Sequence, residues 1–501
     1  METRARAPNP HRTAPHRKDD PVAEDSVFDV IVIGAGPVGE NVADRTHAAG
    51  LSTVIVEAEL VGGECSYWAC MPSKALLRPA AALAQARRVA GSREAVSGPL
   101  DAAAVLARRN GFTSDWKDEG QVGWLDSVGL PLVRGHARLA GARRVLVRTP
   151  AGEERELTAR HAVAVCTGTK AQLPNLPGLD GARVWTSREA TSAQQVPGRL
   201  TVVGGGVVAV EMAGAWQALG SQVTLLVRGE ALLERMEPFA GELVADGLRE
   251  AGVRVRFGVS VAALERGPRD DDPVTAVLED GSRLESDEIL FATGRTPATA
   301  DLGLDTVGLK PGSWLAADDT CLVRDADGDG DWLYAVGDVN HRALLTHQGK
   351  YQARIAGAVI AARARGEQPD PAPWSPYAAT ADTNAVPQVV FTDPEAASVG
   401  LTAAEAEASG RRVRAVDYEL GSVAGAALYA DGYAGKARMV VDLDREVLLG
   451  ATFVGQGVAE LLHSATVAVV GEVPIPRLWH AVPSYPTISE VWLRLLETYR
   501  G

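Results

Sequence analysis

The sequence predicts an α/β chain on three observations: one strand–glycine turn–helix unit at Phe28, a second at Arg199, and a change of texture beyond Val386. In the first unit Phe28–Ile33 reads as a short β-branched strand. It runs into Gly34-Ala-Gly36-Pro-Val-Gly39 and then an alanine-rich helix. That order brings a helix N-terminus and bare backbone up to a pyrophosphate. A second strand, Ser52–Val56, ends in Glu57, about 20 residues past the glycines, where a carboxylate can bind ribose hydroxyls.

The second unit repeats the pattern. Strand Leu200–Val203 leads into Gly204-Gly-Gly206-Val-Val-Ala209 and a helix carrying Glu211. Strand Val223–Val227 ends at Arg228 instead of an acid. An acid there would bind the free ribose of NAD, whereas a cation suits the extra phosphate of NADP. Arg228, with Arg235 as a second contact, therefore points to NADPH. The competing reading is a surface arginine near a turn. Two such units make two Rossmann-like dinucleotide-binding domains, so one dinucleotide can pass a hydride to the other.

Between the units lies Gly62-Gly63-Glu-Cys65-Ser-Tyr-Trp-Ala-Cys70-Met-Pro-Ser-Lys74. Two thiols this close can close a small ring and reopen it. Lys74 favours thiolate over thiol. The pair is therefore either a redox-active disulfide or two ordinary buried cysteines. A zinc half-site would need a second ligand pair at similar spacing, and the sequence has none, so no metal is expected. Cys166 and Cys321 sit in apolar or strand-like settings and read as inert core.

Gly91 to Gly129 reads as helical and then irregular. Leu132 to Val165 carries alternating strand-like runs that close on Thr167-Gly168. Ala292-Thr-Gly294-Arg295-Thr-Pro297 reads as a strand-to-turn exit from the second unit. Asp325–Asp331 resembles the front of a calcium loop. Its twelfth position is Val336, where such a loop needs a bidentate glutamate, so it is read as an acidic turn. Tyr334-Ala-Val-Gly337-Asp338 is a strand ending on Gly-Asp, followed by Leu345-Thr-His-Gln-Gly-Lys and an alanine-rich helix. A proline-rich linker, Gln368–Pro376, precedes an α+β third domain. That domain ends in the polar, proline-bearing stretch His480–Glu490 before a final helix.

Apolar residues are 46% and charged residues 23% of the chain, an ordinary globular balance. A net charge of −14 argues against nucleic acid or an acidic membrane surface as partner. No apolar run reaches the roughly 20 residues of a membrane helix. Four cysteines do not make a secreted disulfide framework, so the expected compartment is the cytoplasm. Met1 to Asp25 is rich in Arg, Pro, His and Asp without apolar periodicity and is expected to be a disordered tail.

Taken together, these residues resemble the pyridine nucleotide–disulfide oxidoreductases, a family that includes dihydrolipoamide dehydrogenase, glutathione reductase and mercuric reductase. The likeness runs from about Phe28 to Leu496. It rests on both glycine motifs, Cys-x4-Cys-x-Pro-Ser-Lys, Ala-Thr-Gly-Arg, Tyr-Ala-Val-Gly-Asp and the Pro-Thr-Ile-Ser-Glu tail. The resemblance implies an FAD-binding domain over 28–190 that resumes over 320–376. It implies an NAD(P)-binding domain over 191–319 and a dimerisation domain over 377–501, with 1–27 as tail.

FAD would be held by Gly34, Gly36, Gly39, Glu57, Gly63, Lys74, Thr167, Gly168, Gly337 and Asp338. NAD(P)H would be held by Gly204, Gly206, Ala209, Glu211, Arg228 and Gly294. Cys70 would be the thiolate facing the flavin and Cys65 the thiol that attacks an outside disulfide. Lys74 and Glu211 match a family ion pair beside the flavin. Two subunits would each lend the tail to the other's site.

Two departures stand out. The family's disulfide reductases carry a histidine before Pro-Thr and a glutamate four residues after that proline. Here the glutamate is Glu490 and the histidine position is Tyr485. A histidine with pKa about 6.5 trades protons at neutral pH, whereas a tyrosine at about 10 is a poor base there. His480 could substitute only if the segment is remodelled. Mercuric reductase also has tyrosine at that position, but it ends in a metal-delivering cysteine pair, and this chain has no cysteine after Cys321.

The second departure is Tyr67, Trp68 and Ala69 between the cysteines, which are expected to crowd a thiol substrate. His463 reads as a satisfied helix residue. The expected function is an FAD-dependent NAD(P)H oxidoreductase working through Cys65–Cys70 on a small electron acceptor, either a quinone or dye or a small disulfide. A dihydrolipoamide dehydrogenase-type reductase and a non-catalytic flavin-bound interaction protein are the alternatives.

Overall fold

The computed structural model describes residues 26–269, 271–328 and 330–501. The expected N-terminal tail, Met1 to Asp25, lies outside them.

The strand Val27–Ile33 is the centre of a seven-stranded sheet. It runs parallel to Thr53–Glu57 on one side and to Glu154–Val165 on the other, with Ile33 opposite both Val56 and Val165. Both faces of such a strand are covered, so its inner part is continuously apolar and buried. Glu154–Val165 is long enough to serve two further neighbours. Its first half pairs antiparallel with Arg144–Arg148, and its last residues pair parallel with Leu333–Ala335, which returns from much later in the chain. Gly337 and Asp338 thereby end beside Thr167 and Gly168 on the same sheet edge.

The second sheet is parallel: Arg254–Arg256, Gln222–Leu226, Arg199–Val203 and Glu288–Phe291. The helix Val207–Ala218 buries seven residues, including Trp216 at 0% exposure, in the core beneath it. A three-stranded antiparallel sheet, Val261–Arg266, Val274–Leu278 and Arg283–Ser286, is attached to it.

The C-terminal part is a five-stranded antiparallel sheet around Val447–Gly455, every residue of which is buried. Helices Leu462–Val470 and Val491–Arg500 pack into its core. Among the described residues no helix is long and apolar enough to cross a membrane.

Within Gly91–Gly129 the expected helical part contains Ala102–Phe112, capped by the Asp101 carboxylate on the Ala104 N–H (3.1 Å), whereas the expected irregular part is corrected: it forms a second helix, Glu119–Val128. Gly120 and Gly123 weaken the second helix signal in sequence. Burial of Leu125 and the left-handed Gly129 cap (φ 74°) nevertheless support it.

Candidate active site

The two thiols lie on different helices. Cys65 lies in Gly63–Tyr67, and Cys70 is the first residue of Cys70–Arg87. The Cys70 thiol therefore sits at a helix N-terminus, where the positive dipole end favours thiolate. The two thiols hydrogen-bond to one another, and Cys70 Sγ lies 3.2 Å from Thr346 Oγ1. The hydrogen bond from Cys65 is the main cause that draws Cys70 down to about 6, with Thr346 and the Lys74 ammonium adding to it against burial. The same hydrogen bond and burial push Cys65 up. One cysteine is thus prepared as the thiolate and the other as the thiol.

Lys74 Nζ bonds Glu211 Oε2 at 2.8 Å, and the other Glu211 oxygen accepts from the Phe391 N–H at 3.0 Å. One carboxylate therefore ties together the thiol helix, the second nucleotide unit and the C-terminal sheet. The Glu211 side chain is 3% exposed and that of Lys74 is 37% exposed. Removing the lysine strands a buried carboxylate, whereas removing the carboxylate frees a cation that reaches solvent. Lys74→Met should therefore destabilise the enzyme by about 3–5 kcal/mol, and Glu211→Gln by no more than about 1–2 kcal/mol. Equal losses in urea unfolding would contradict this asymmetry.

The first glycine cradle is tight. A Cβ on Gly39 would lie 1.8 Å from the Gly34 carbonyl oxygen, so only glycine lets the helix approach the turn. The Glu57 carboxylate accepts from the N–H groups of Ala35 (2.6 Å) and Glu59 (2.7 Å). Burial raises its pKa, and these two bonds oppose the rise. The Thr167 hydroxyl is buried without a partner among the described residues. Asp338, raised by burial, accepts from Thr169 Oγ1 at 3.1 Å beside Arg295. A close glycine turn, a half-buried carboxylate at the strand end and an orphan hydroxyl fit a dinucleotide.

The second cradle repeats this. A Cβ on Gly204 would lie 2.4 Å from the Ala292 carbonyl oxygen, and one on Gly206 would meet nothing within 4 Å, which leaves that backbone open to a phosphate. Ala209 is fully buried beneath it, and Gly294 follows Ala292 at the exit. Arg228 and Arg235 are exposed and make no ion pair among the described residues.

Other expected residues lie apart or point elsewhere. Tyr485 is 75% exposed, and Glu490 is buried, bonded to Arg494 at 2.6 Å. His480 and His463 are exposed, His463 on the helix Leu462–Val470. Tyr67 does not crowd the thiols. It is 3% exposed, with its hydroxyl donating to the Lys117 carbonyl at 3.3 Å. Trp68 is turned under the Arg188 guanidinium, 4.2 Å from its ring centre, with its carbonyl held by Thr191. Thr346 was not foreseen as a site residue. Its only signal is its place at the start of the helix Thr346–Ala364.

Two glycine cradles with a polarised thiol pair between them define a two-dinucleotide dithiol oxidoreductase. The family model described as pyridine nucleotide-disulphide oxidoreductase matches residues 28–363, and its dimerisation domain matches 386–495. The chain belongs to this family.

It is 32% identical to a dihydrolipoyl dehydrogenase of Chlorobaculum tepidum over 92% of this chain and 95% of that one. It is 28% identical to a mercuric reductase of Staphylococcus aureus over 96% of this chain and 84% of that one. Among solved structures it resembles the HOCl-induced flavoprotein disulfide reductase RclA of Escherichia coli in fold (TM-score 0.78, 23% identity, 94% and 99% of the two chains). It likewise resembles LpdA of Mycobacterium tuberculosis (TM-score 0.78, 24%, 93% and 99%). The protein is an FAD-dependent enzyme that uses NAD(P)H, and it carries a dimerisation domain.

Proposed function

We propose that this enzyme is a cytoplasmic homodimer that oxidises NADPH and passes the electrons through Cys65–Cys70 to a small acceptor, with quinones or dyes served faster than disulfides. The observation that carries the dithiol role is the split between the thiols, with Cys70 drawn down to about 6 at its helix N-terminus and Cys65 pushed up. Bound FAD supplies the two-electron relay between nicotinamide and dithiol.

The chain's own residues do the rest. Gly34, Gly36, Gly39, Glu57, Gly63, Thr167, Gly168, Gly337 and Asp338 hold and orient the flavin nucleotide. Gly204, Gly206, Ala209 and Gly294 hold the nicotinamide nucleotide. Lys74, fixed by Glu211, keeps a positive charge beside Cys70. Tyr485 at the tail position supports the preference for acceptors that release no thiolate. Rates of NADPH oxidation against a panel of quinones, lipoamide and glutathione disulfide test the reading. Turnover confined to disulfides would overturn the acceptor preference and favour a dihydrolipoamide dehydrogenase-type activity, which the similarity to dihydrolipoyl dehydrogenases also supports.

Arg228 carries the coenzyme choice. Replacing it by glutamate should lower kcat/KM for NADPH about ten- to a hundredfold relative to NADH, the value of one charge-assisted phosphate contact of about 1.5–3 kcal/mol. A wild-type enzyme that already favours NADH would reduce this arginine to surface charge.

A further inference from the structure

The helix Thr346–Ala364 carries Thr346 at its first position, with Oγ1 3.2 Å from Cys70 Sγ. When Cys70 is a thiolate the hydroxyl must be the donor of that pair, because a thiolate can only accept. The contact depends on where the helix start is seated. Gln348 and Gln352, one turn apart and both buried, donate to the Asp382 carboxylate at 3.0 Å (Oδ1) and 2.9 Å (Oδ2). His347 Nε2 donates to the Pro387 carbonyl at 2.8 Å. A Cβ on Gly349 would lie 2.5 Å from Val38, so this first stretch also packs hard on the helix Pro37–Ala48.

Asp382 lies in the short helix Ala381–Asn384, just ahead of the residues that match the dimerisation domain. Its side chain is 0% exposed. The cation beside it is Arg342, with Nε 2.9 Å from Oδ2 and Nη2 2.6 Å from Asp319. Cys321 and Tyr351 are the other titratable groups that feel its charge. Gln352 Oε1 in turn accepts from the Gly337 N–H (2.7 Å) and from Asn340 Nδ2 (2.8 Å). One buried carboxylate thus holds two turns of the helix, and its donors come from two segments. A buried network satisfied in this way fixes a single arrangement.

We propose that Asp382 is a positioning residue for the Cys70 thiolate: through Gln348 and Gln352 it seats the helix start that holds the Thr346 hydroxyl against Cys70 Sγ. The inference rests on the dithiol reading above. The groups that act on Cys70 are Cys65 from the helix Gly63–Tyr67, Lys74 one turn along its own helix, and Thr346. Cys65 and Lys74 belong to the same short stretch of chain as Cys70. Thr346 is brought in from a distant segment, so its 3.2 Å contact needs an anchor, and Asp382 supplies it.

The test is a double-mutant cycle on holoenzyme reduced with NADPH. The pH midpoint of the Cys70 thiolate is read from the long-wavelength band and, independently of the flavin, from the rate of Cys70 alkylation by iodoacetamide followed by mass spectrometry. Wild type should titrate near pH 6. Thr346→Ala removes a donor to a charged sulfur and should raise the midpoint by about 1–2 units, while Thr346→Ser should stay close to wild type. Asp382→Asn places an amide nitrogen among donors, loosens the helix start and should raise the midpoint by about half a unit or more. The variant with both Thr346→Ala and Asp382→Asn should titrate within about 0.3 unit of Thr346→Ala alone, because Asp382 then has no hydroxyl to position.

Additive shifts, or an Asp382→Asn midpoint equal to wild type, overturn the proposal, since a purely structural aspartate would not depend on the Thr346 hydroxyl. If Asp382→Asn fails to fold, Gln348→Met takes its place in the cycle. It breaks the link at the first turn and leaves the Gln352 bond to Gly337, and the same two outcomes overturn the proposal there. A wild type with no titrating thiolate by either readout would overturn the dithiol reading, and this inference with it, an outcome distinct from additivity.

Discussion

Replacing Cys70 by serine is expected to abolish the long-wavelength absorbance that NADPH-reduced enzyme shows when a thiolate lies against oxidised flavin. It should also lower dithiol-dependent turnover by at least about a thousandfold. A serine hydroxyl at the start of the Cys70–Arg87 helix keeps the helix but cannot ionise near neutral pH. The local charges that draw Cys70 down to about 6 then have nothing to act on.

Cys65→Ser should behave differently. It removes the partner thiol but leaves Cys70 beside Lys74 and Thr346, so a thiolate band should persist without turnover through the pair. In wild type the band should fade as pH falls below about 6, because Cys70 then binds its proton. The sign also bears on stability. A thiol whose folded pKa is depressed from 9.0 contributes stability that is complete above pH 9 and lost as pH falls through about 6. Identical spectra for the two serine variants would mean that neither thiol faces the flavin, and the pair would then be structural.

Local order carried most of the information about this fold. A strand, a glycine turn and a helix are contiguous in sequence, so both nucleotide cradles and Glu57 could be read directly. The thiol pair was legible for the same reason. What escaped was set by packing between distant segments. Tyr67 sits between the cysteines in sequence, yet its ring turns inward toward Lys117, fifty residues on. Thr346 reaches Cys70 from 276 residues away. The helix Glu119–Val128 was missed because its two glycines mask a local signal that Leu125 and the Gly129 cap supply in the folded chain.

Tyr485→His is expected to raise lipoamide and glutathione-disulfide turnover by about ten- to a hundredfold, and to leave quinone turnover within about twofold. A disulfide acceptor releases a thiolate on the far side of Cys65, and that thiolate needs a proton. The tail segment is where such a proton donor belongs, and wild type has Tyr485 there in place of a histidine. The structure prepares the site for the substitution. Tyr485 is 75% exposed, so an imidazole meets no packing cost. Glu490, four residues past Pro486, is buried, with Oε1 on Arg494 and Oε2 without a partner among the described residues. An imidazole whose N–H reached that carboxylate would be oriented by it and favoured in its protonated form. Glu490→Gln in the Tyr485→His background should therefore remove most of the gain and shift the pH optimum of disulfide reduction downward, because the imidazolium loses its carboxylate. Equal gains on quinones and disulfides would show that the tail shapes access alone. A wild type that already turns over lipoamide as fast as the substituted enzyme would show that the tail has no part in proton transfer.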